Sequence, residues 1–364
     1  MYNSFTARNF RGFHEAHISE LTQVNLVTGL NDAGKTSLLE ALFLHASGPY
    51  AALNYLQTLT AARQHGFGME TSGDTSPWRD IFRNFEESEP IELSAQTGGG
   101  ALSVQIISEK ENSEGSVSLS TLRGESKNAW SNGVKVRTKI GDKSVKDYRQ
   151  SVNVESSGGP IGSANSSVNV SFRMEPQAAS PFVTSSIVIG TLGPDLAQGY
   201  SELRRRKSSL DLLGSLQEID PRISNLEVLV QNGRPQLHAD VDGTLVPFEL
   251  LGEGVTALAK YLLSMINCRD GLLLIDEIGA GIHHSVLHKL WWVLWRAAQR
   301  LNVQIVATTH SAECVRAAES VLSKHNRTLT VHRLRRTGEE EETKVTSYGD
   351  DKLRTALKMN VELR

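Results

Sequence analysis

An α/β protein with a long β-rich stretch set into its middle is what the 364 residues predict, on three features. The first is a strand–loop–helix opening, in which Val24–Thr28 runs through a glycine-containing loop into a helical segment, Ser37–Ala46. The second is the return of this texture after Pro247, where apolar strands alternate with stretches of helical spacing. The third lies between them: from Gln96 to Phe248 apolar residues occupy alternate positions and turn chemistry is dense. The expected organisation is a head split in two, 1–95 and 247–364, around a β-rich insertion at 96–246 that holds one helical segment.

Along the chain, Asn3–Phe13 reads as one short strand and Val24–Thr28 as a second, with a helical turn near Trp78–Phe82 and a strand at Ile91–Ser94. In the insertion, Leu102/Val104/Ile106, Val134/Val136/Thr138/Ile140, Val168/Val170/Phe172/Met174 and Leu226/Val228/Val230 each fall on a single face. Turns are expected at Gly98–Gly100, Asn132-Gly, Gly141-Asp, Ser157–Pro160, Asn232-Gly and Asp242-Gly, the last two as hairpins. Leu196–Leu216 reads as helical. After Pro247 the sequence predicts a helix at Val255–Ile266, a strand at Gly271–Ile275, a helix at Ser285–Arg300 and a strand at Val303–Thr308. A hairpin, Thr328–Arg335 with Lys344–Tyr348, and a short helix at Lys352–Lys358 follow. Leu287, Leu290, Trp291, Leu294, Trp295 and Ala298 recur at helical spacing, which marks the tryptophans as core.

Composition removes several classes. The chain is 39% hydrophobic and 22% charged, so a disordered, collagenous or coiled-coil chain fits poorly. With 38 Lys+Arg against 41 Asp+Glu the net charge is −3, which gives no support to a nucleic-acid partner. Two cysteines, Cys268 and Cys314, make no disulfide framework and no paired zinc spacing, so a reducing cytoplasm is expected. No apolar run is long enough for a bilayer, and no membrane partner is expected.

The chemistry concentrates in three places. Gly29-Leu-Asn-Asp-Ala-Gly-Lys-Thr36 fits the phosphate-loop pattern and sits between a buried strand and a helix, where such a loop must sit. Gly29 and Gly34 let the backbone curl so that successive N–H groups meet phosphate oxygens at a helix N-terminus. Lys35 is then expected on the β- and γ-phosphates and the Thr36 hydroxyl on Mg²⁺, with Asn31, Asp32, Ala33 and Ser37 completing the ATP-contacting stretch. Leu272-Leu-Leu-Ile runs into Asp276-Glu277, a pattern of a buried central strand that delivers two carboxylates to a ligand crevice. Asp276 is expected to hold Mg²⁺ through water and Glu277 to act as general base. The strand Val303–Thr309 ends in His310-Ser311, and His310 is expected to sense the γ-phosphate; its plain alternative is a satisfied loop histidine. Leu251-Gly252-Glu253-Gly254 opens a helix about twenty residues before Asp276 and in isolation reads as a helix cap.

That order of motifs resembles the ABC-type ATPase head. Asn9-Phe-Arg-Gly-Phe13 and the Asn31 inside the phosphate loop are similar to the SMC, RecF and OLD branch, and closest to stand-alone OLD-like AAA-type ATPases. Leu251–Gly254, Asp276–Glu277, Trp291, Ala307–Ser311 and Val361–Arg364 carry the likeness, which is good at both ends of the chain and poor from about 96 to 225. The resemblance implies a P-loop NTPase fold of ABC type with a β-rich insertion between phosphate loop and signature. It also implies that Leu251, Gly252, Glu253 and Gly254 form a signature acting in trans on ATP held by another copy, so that a head-to-head homodimer or larger homo-oligomer is needed. Gly252 stands where many relatives carry a serine, which implies slow turnover, and Ile278-Gly-Ala280 lacks the acidic residue that OLD-like relatives often carry there. OLD nucleases continue into a TOPRIM domain, and too few residues follow His310 to build one. The resemblance therefore implies an ATPase subunit of an anti-phage defence system with a separate effector, such as a TOPRIM nuclease.

Other signals carry less. His284 and His288 lie one helical turn apart beside His283, but no Glu or Cys completes a metal set. Arg204–Lys207 and Glu339–Glu342 read as solvated segments. Residues 123–149 hold eight Lys or Arg against three Asp or Glu and are the better candidate surface for a polyanion or a partner. The competing reading is a RecF-like DNA-binding ATPase in repair. A transporter motor is disfavoured by the missing Gly-Gly-Gln signature.

Overall fold

The structure is a computed structural model that describes residues 1–48, 79–110, 130–140, 143–157, 167–173, 185–188, 195–205, 209–231, 233–325, 328–337 and 342–359. In chain order its elements begin with β1 (Tyr2–Phe10), β2 (Phe13–Ile18), β3 (Val24–Thr28) and α1 (Lys35–Ala46). The β-rich part holds β4 (Ile91–Thr97), β5 (Gly100–Lys110), β6 (Trp130–Ile140), β7 (Lys143–Ser157), β8 (Ser167–Arg173) and β9 (Ser185–Val188). Then come α2 (Leu196–Arg205), α3 (Ser209–Gln217), β10 (Ile223–Gln231), β11 (Arg234–Val241) and β12 (Thr244–Pro247). The chain continues through α4 (Glu253–Asn267), β13 (Leu272–Ile275), α5 (His284–Leu301), β14 (Gln304–Thr308) and α6 (Ala312–Lys324). It closes with β15 (Leu329–Thr337), β16 (Glu342–Tyr348) and α7 (Asp350–Lys358).

A six-stranded sheet in the order β16-β15-β3-β14-β13-β9 forms the centre, parallel from β15 to β9 with β16 antiparallel at one edge. β13 is apolar along its whole length because both faces are covered. Leu26, Leu273, Ile275, Ile305 and Ala307 point into the core built with α4, α5 and α6. Their neighbours Val27, Leu272, Leu274 and Val306 point into a second core shared with α1 and an antiparallel sheet. That second sheet has seven strands, β2-β1-β4-β5-β6-β7-β8. A three-stranded sheet, β10-β11-β12, packs through Ile223, Leu226, Leu237 and Ala239 on the side of α4. Truncating a buried strand residue such as Leu274 to Ala costs about 2–5 kcal/mol through lost transfer energy and the cavity left behind.

Several sequence readings change. Asn3–Phe13 is not one strand but the first arm and turn of a hairpin, with Phe10 paired to Phe13 and Arg11 at φ 51. Asn132-Gly is no turn; both residues lie inside β6, where pairing to β5 and β7 on either side overrides the dipeptide's preference. Val230 leaves the buried face of Leu226 and is 72% exposed. Trp291 is fully buried, whereas Trp292 and Trp295 are half-buried and stack with His325. The helical turn near 78–82 is a pair of short 3₁₀ turns, Arg79–Ile81 and Arg83–Phe85. Leu196–Leu216 divides into α2 and α3, and α6 was not foreseen. The Asp242-Gly hairpin forms as read, both residues at positive φ as a type I′ turn requires. Trp78, the Gly141-Asp and Gly158–Pro160 turns, Met174, Asn232, Arg206, Lys207, Glu339–Glu341 and Val361–Arg364 lie outside the described residues.

The strand β4 runs across residue 95 and joins β1 to β5, so the antiparallel sheet is continuous from the opening hairpin outward. In the same way β9 pairs with β13 inside the parallel sheet. Cys268 and Cys314 are both free and buried, and burial pushes the Cys268 thiol up to about 12. No described helix is long and apolar enough to cross a membrane.

Two buried imidazoles cross-link elements, His45 between α1 and the antiparallel sheet and His332 within the central sheet. His45 of α1 contacts the Tyr2 hydroxyl at 2.8 Å and the Leu102 carbonyl at 3.1 Å; His332 of β15 contacts Ser347 Oγ at 2.9 Å. Burial lowers both to about 4 from an ordinary 6.5, with the Leu102 carbonyl pulling the other way on His45. Both take a proton more readily in the unfolded chain. Their contribution to stability is therefore complete above about 6.5 and is lost as pH falls through about 4. The melting temperature is expected to drop over that window; a flat profile there would show that neither imidazole is held neutral by the fold.

Candidate nucleotide site

The parallel strands β3, β13 and β14 are neighbours, and at their C-terminal ends stand the phosphate loop, Asp276-Glu277 and Thr308–His310. Ligand crevices of α/β sheets form at this edge. The loop itself is shaped by its glycines. Gly29 (φ 150) passes so close to β15 that an added Cβ would lie 2.5 Å from the Leu334 carbonyl oxygen, and Gly34 (φ 90) is pressed to 2.6 Å from the Phe13 ring in the same sense. Gly34 caps α1 without a side-chain hydrogen bond, and the first turn of the helix holds no acidic residue. Its leading N–H groups are thus left for an anion.

Lys35 is 6% exposed, and its ammonium donates to the Gly29 carbonyl at 3.0 Å and the Leu30 carbonyl at 2.8 Å. Burial lowers its pKa, against the opposing pull of the Asp276 and Glu277 carboxylates. Asn31 and Asp32 are exposed on the rim, with Asp32 at φ 67 and its carboxylate 3.6 Å from Arg336. That pair is worth little, because the Asp32 side chain is 92% exposed. Ala33 is buried, its N–H reaching the Leu30 carbonyl at 3.2 Å, and Ser37 is half-buried on the first turn of α1.

Residues 240 positions apart then meet. The Thr36 hydroxyl donates to Asp276 Oδ2 at 2.8 Å, while the Thr308 hydroxyl donates to Asp276 Oδ1 at 2.5 Å. The Glu277 N–H donates to Thr308 Oγ1 at 2.8 Å and Glu277 adopts φ 54, which sends its carboxylate outward. His310 Nε2 stands 3.9 Å from Glu277 Oε1, adjacent but beyond hydrogen-bond reach. A magnesium ion fits the donor set. Mg²⁺ takes oxygen ligands and keeps several of its waters, and here a hydroxyl and a carboxylate stand side by side at the end of the phosphate loop. Among the described residues no group of three or more His, Cys, Asp or Glu could hold a metal, so His283, His284 and His288 gain no support as ligands.

Leu251–Gly254 lies elsewhere. Gly252 (φ 95) caps α4, and Gly252 and Glu253 are exposed. Glu253 abuts Gly281, where a Cβ would fall on its carboxylate, and Gly254 packs near Ile282. The turn and the loop after the carboxylates therefore form one exposed surface. Among the described residues no hydrogen bond or ion pair joins Leu251–Gly254 to the phosphate loop, Asp276 or Glu277. Thr308 is the site residue that the sequence reading missed. Its signal was a pair of hydroxyl residues, Thr308-Thr309, ending an otherwise apolar strand.

Two family models match the chain, one in each half. The family described as "AAA domain" matches residues 4–174, and the family described as "AAA domain, putative AbiEii toxin, Type IV TA system" matches residues 185–316. A Helicobacter pylori protein named "ATP/GTP phosphatase" is 22% identical over 340 residues, covering 88% of each chain. Among solved structures, an SMC head bound to the C-winged helix domain of ScpA is 13% identical with a TM-score of 0.47, covering 96% of this chain and 99% of that one. An SMC head domain bound to the C-terminal domain of ScpA derived from Pyrococcus furiosus is 12% identical with a TM-score of 0.45, covering 99% of both. The two AAA-domain matches and the phosphate-loop geometry agree on a P-loop α/β fold of ATPase type. The Helicobacter phosphatase is a relative along most of the chain.

Proposed function

We propose that this chain is an ATP-binding and ATP-hydrolysing switch that serves as the ATPase subunit of a prokaryotic anti-phage system with a separate effector. The observation that carries the reading is the Thr36–Asp276 contact at 2.8 Å, which joins the phosphate loop to the carboxylate strand. In this reading Gly29–Ser37 wraps the phosphates and Lys35 leaves its loop carbonyls for the β- and γ-phosphate oxygens. Thr36 and Asp276 would hold Mg²⁺, and that ion would supply positive charge against the phosphates. Glu277 takes the proton of the attacking water, and His310 beside it reads the γ-phosphate. Mg²⁺ removal is expected to stop turnover.

Gly252 and Glu253 of the signature are exposed, and among the described residues no hydrogen bond or ion pair joins Leu251–Gly254 to its own phosphate loop, which supports its acting on nucleotide held by a second copy. Gly252 brings no hydroxyl to that γ-phosphate, which favours slow turnover. The AbiEii-type family description supports a role in defence, and the name of the Helicobacter relative supports phosphate release. The effector, a TOPRIM nuclease in the form favoured here, is a separate protein. Cytoplasmic residence is part of the same reading. The division into 1–95, 96–246 and 247–364 makes the middle segment the part that passes the nucleotide state to the effector.

A site shared between copies makes activity depend on assembly. Phosphate release per chain is expected to rise with protein concentration and level off once the dimer is saturated. Specific activity constant over a hundredfold range down to nanomolar protein would contradict the shared site. The RecF-like alternative finds its support in Lys135, Arg137 and Lys139 at alternate positions of β6. It predicts DNA binding that weakens steeply with salt.

A further inference from the structure

Thr308 ends β14 with no exposed surface, yet its hydroxyl is the junction of both carboxylate residues. It donates its one proton to Asp276 Oδ1 at 2.5 Å and accepts the Glu277 N–H at 2.8 Å. A hydroxyl has one donor and spare acceptor capacity, so a single atom sets two groups at once. Asp276 receives one hydroxyl on each oxygen, Thr308 on Oδ1 and Thr36 on Oδ2. This turns Oδ2 toward the phosphate loop. Glu277 sits at φ 54, a left-handed conformation that is strained for a non-glycine residue unless its surroundings fix it. Its N–H bond to Thr308 is such a constraint, as is the neighbouring Ile278 N–H bond to the Thr308 carbonyl at 2.9 Å. A purely apolar residue would fill the same space in β14, where the three residues before it, Ile305–Ala307, are apolar and buried.

We propose that Thr308 is the positioning residue of the site: its hydroxyl orients the Asp276 carboxylate toward the metal and fixes the Glu277 backbone in its outward pose. This rests on the proposed reading of Asp276 as a metal-holding residue. Groups that orient a metal-holding side chain without touching the metal are typically worth 10–100-fold in metal affinity or activity.

The test uses the full chain with Mn²⁺ as the probe, its binding followed by electron paramagnetic resonance with a non-hydrolysable ATP analogue present. In Thr308→Val, nearly isosteric but without the hydroxyl, Mn²⁺ affinity is expected to fall at least about tenfold. Metal-free binding of the analogue should stay as in the wild type, and kcat should fall with little change in KM. Thr308→Ser should restore both affinity and kcat. A role confined to packing would lower the melting temperature of Thr308→Val and leave Mn²⁺ affinity alone; that result overturns the proposal. So does a Thr308→Ser protein as defective as Thr308→Val. If Thr308→Val does not fold, Thr308→Ala carries the same measurement. Wild-type protein that binds no Mn²⁺ with nucleotide would instead bring down the metal-site reading itself, and Thr308's role with it.

Discussion

Lys35→Ala is expected to lose ATP binding, with affinity down by about a hundredfold or more in a fluorescent-nucleotide titration. The Lys35 ammonium is buried and occupied by two carbonyls of its own loop, Gly29 and Leu30, and burial makes its charge costly. A triphosphate offers charged oxygens in place of neutral carbonyls, and hydrogen bonds to charged partners contribute about 1.5–3 kcal/mol each. Losing one or two of them accounts for the expected drop. The fold should survive, because the alanine removes a buried charge rather than apolar packing. Unchanged affinity in Lys35→Ala would mean that nucleotide binds elsewhere.

Glu277→Gln is expected to keep nucleotide and lose hydrolysis, with kcat down by about 10²–10⁴, the range set by removal of a general base. The substitution spares the local structure for a specific reason. What positions Glu277 is its backbone, through the N–H bond to Thr308 and the Ile278 N–H bond to the Thr308 carbonyl, and both survive in the amide. The side chain is 60% exposed and stands 3.9 Å from His310. Turnover close to wild type would remove Glu277 from the chemistry. A parallel loss of binding would mean that its charge serves the ground state.

Much of this could be read before any coordinates. Val24–Thr28, Leu272–Ile275 and Gln304–Thr308 announce themselves as apolar runs because each is buried on both faces of one sheet. The phosphate loop and Asp276-Glu277 stand out because phosphate and metal chemistry demand particular residue types at fixed places. What escaped the reading depends on partners distant in sequence. The strand β9, Ser185–Val188, has no sustained apolar run and is defined by pairing with β13 nearly ninety positions on. The turn between β1 and β2 uses Arg11 at positive φ, a residue that carries no turn signal. The helix α6 buries mostly small residues, Cys314, Ala317 and Ala318 among them, so its apolar face is faint in the sequence. Its N-cap is nevertheless legible in hindsight, since Ser311 accepts from the Cys314 N–H at 3.1 Å. Thr308 escaped because a threonine at a strand end is ordinary until the carboxylate beside it is known.

The central claim is that one copy holds ATP between its phosphate loop and Asp276-Glu277 while Leu251–Gly254 of a second copy closes over it. Light scattering of Glu277→Gln with and without ATP and Mg²⁺ tests it most directly. The mass is expected to rise on addition of both, to at least about twice the 39.9 kDa of one chain, and to stay low with either alone. A mass that does not respond to ATP and Mg²⁺, in protein shown to have bound the nucleotide, would contradict the account.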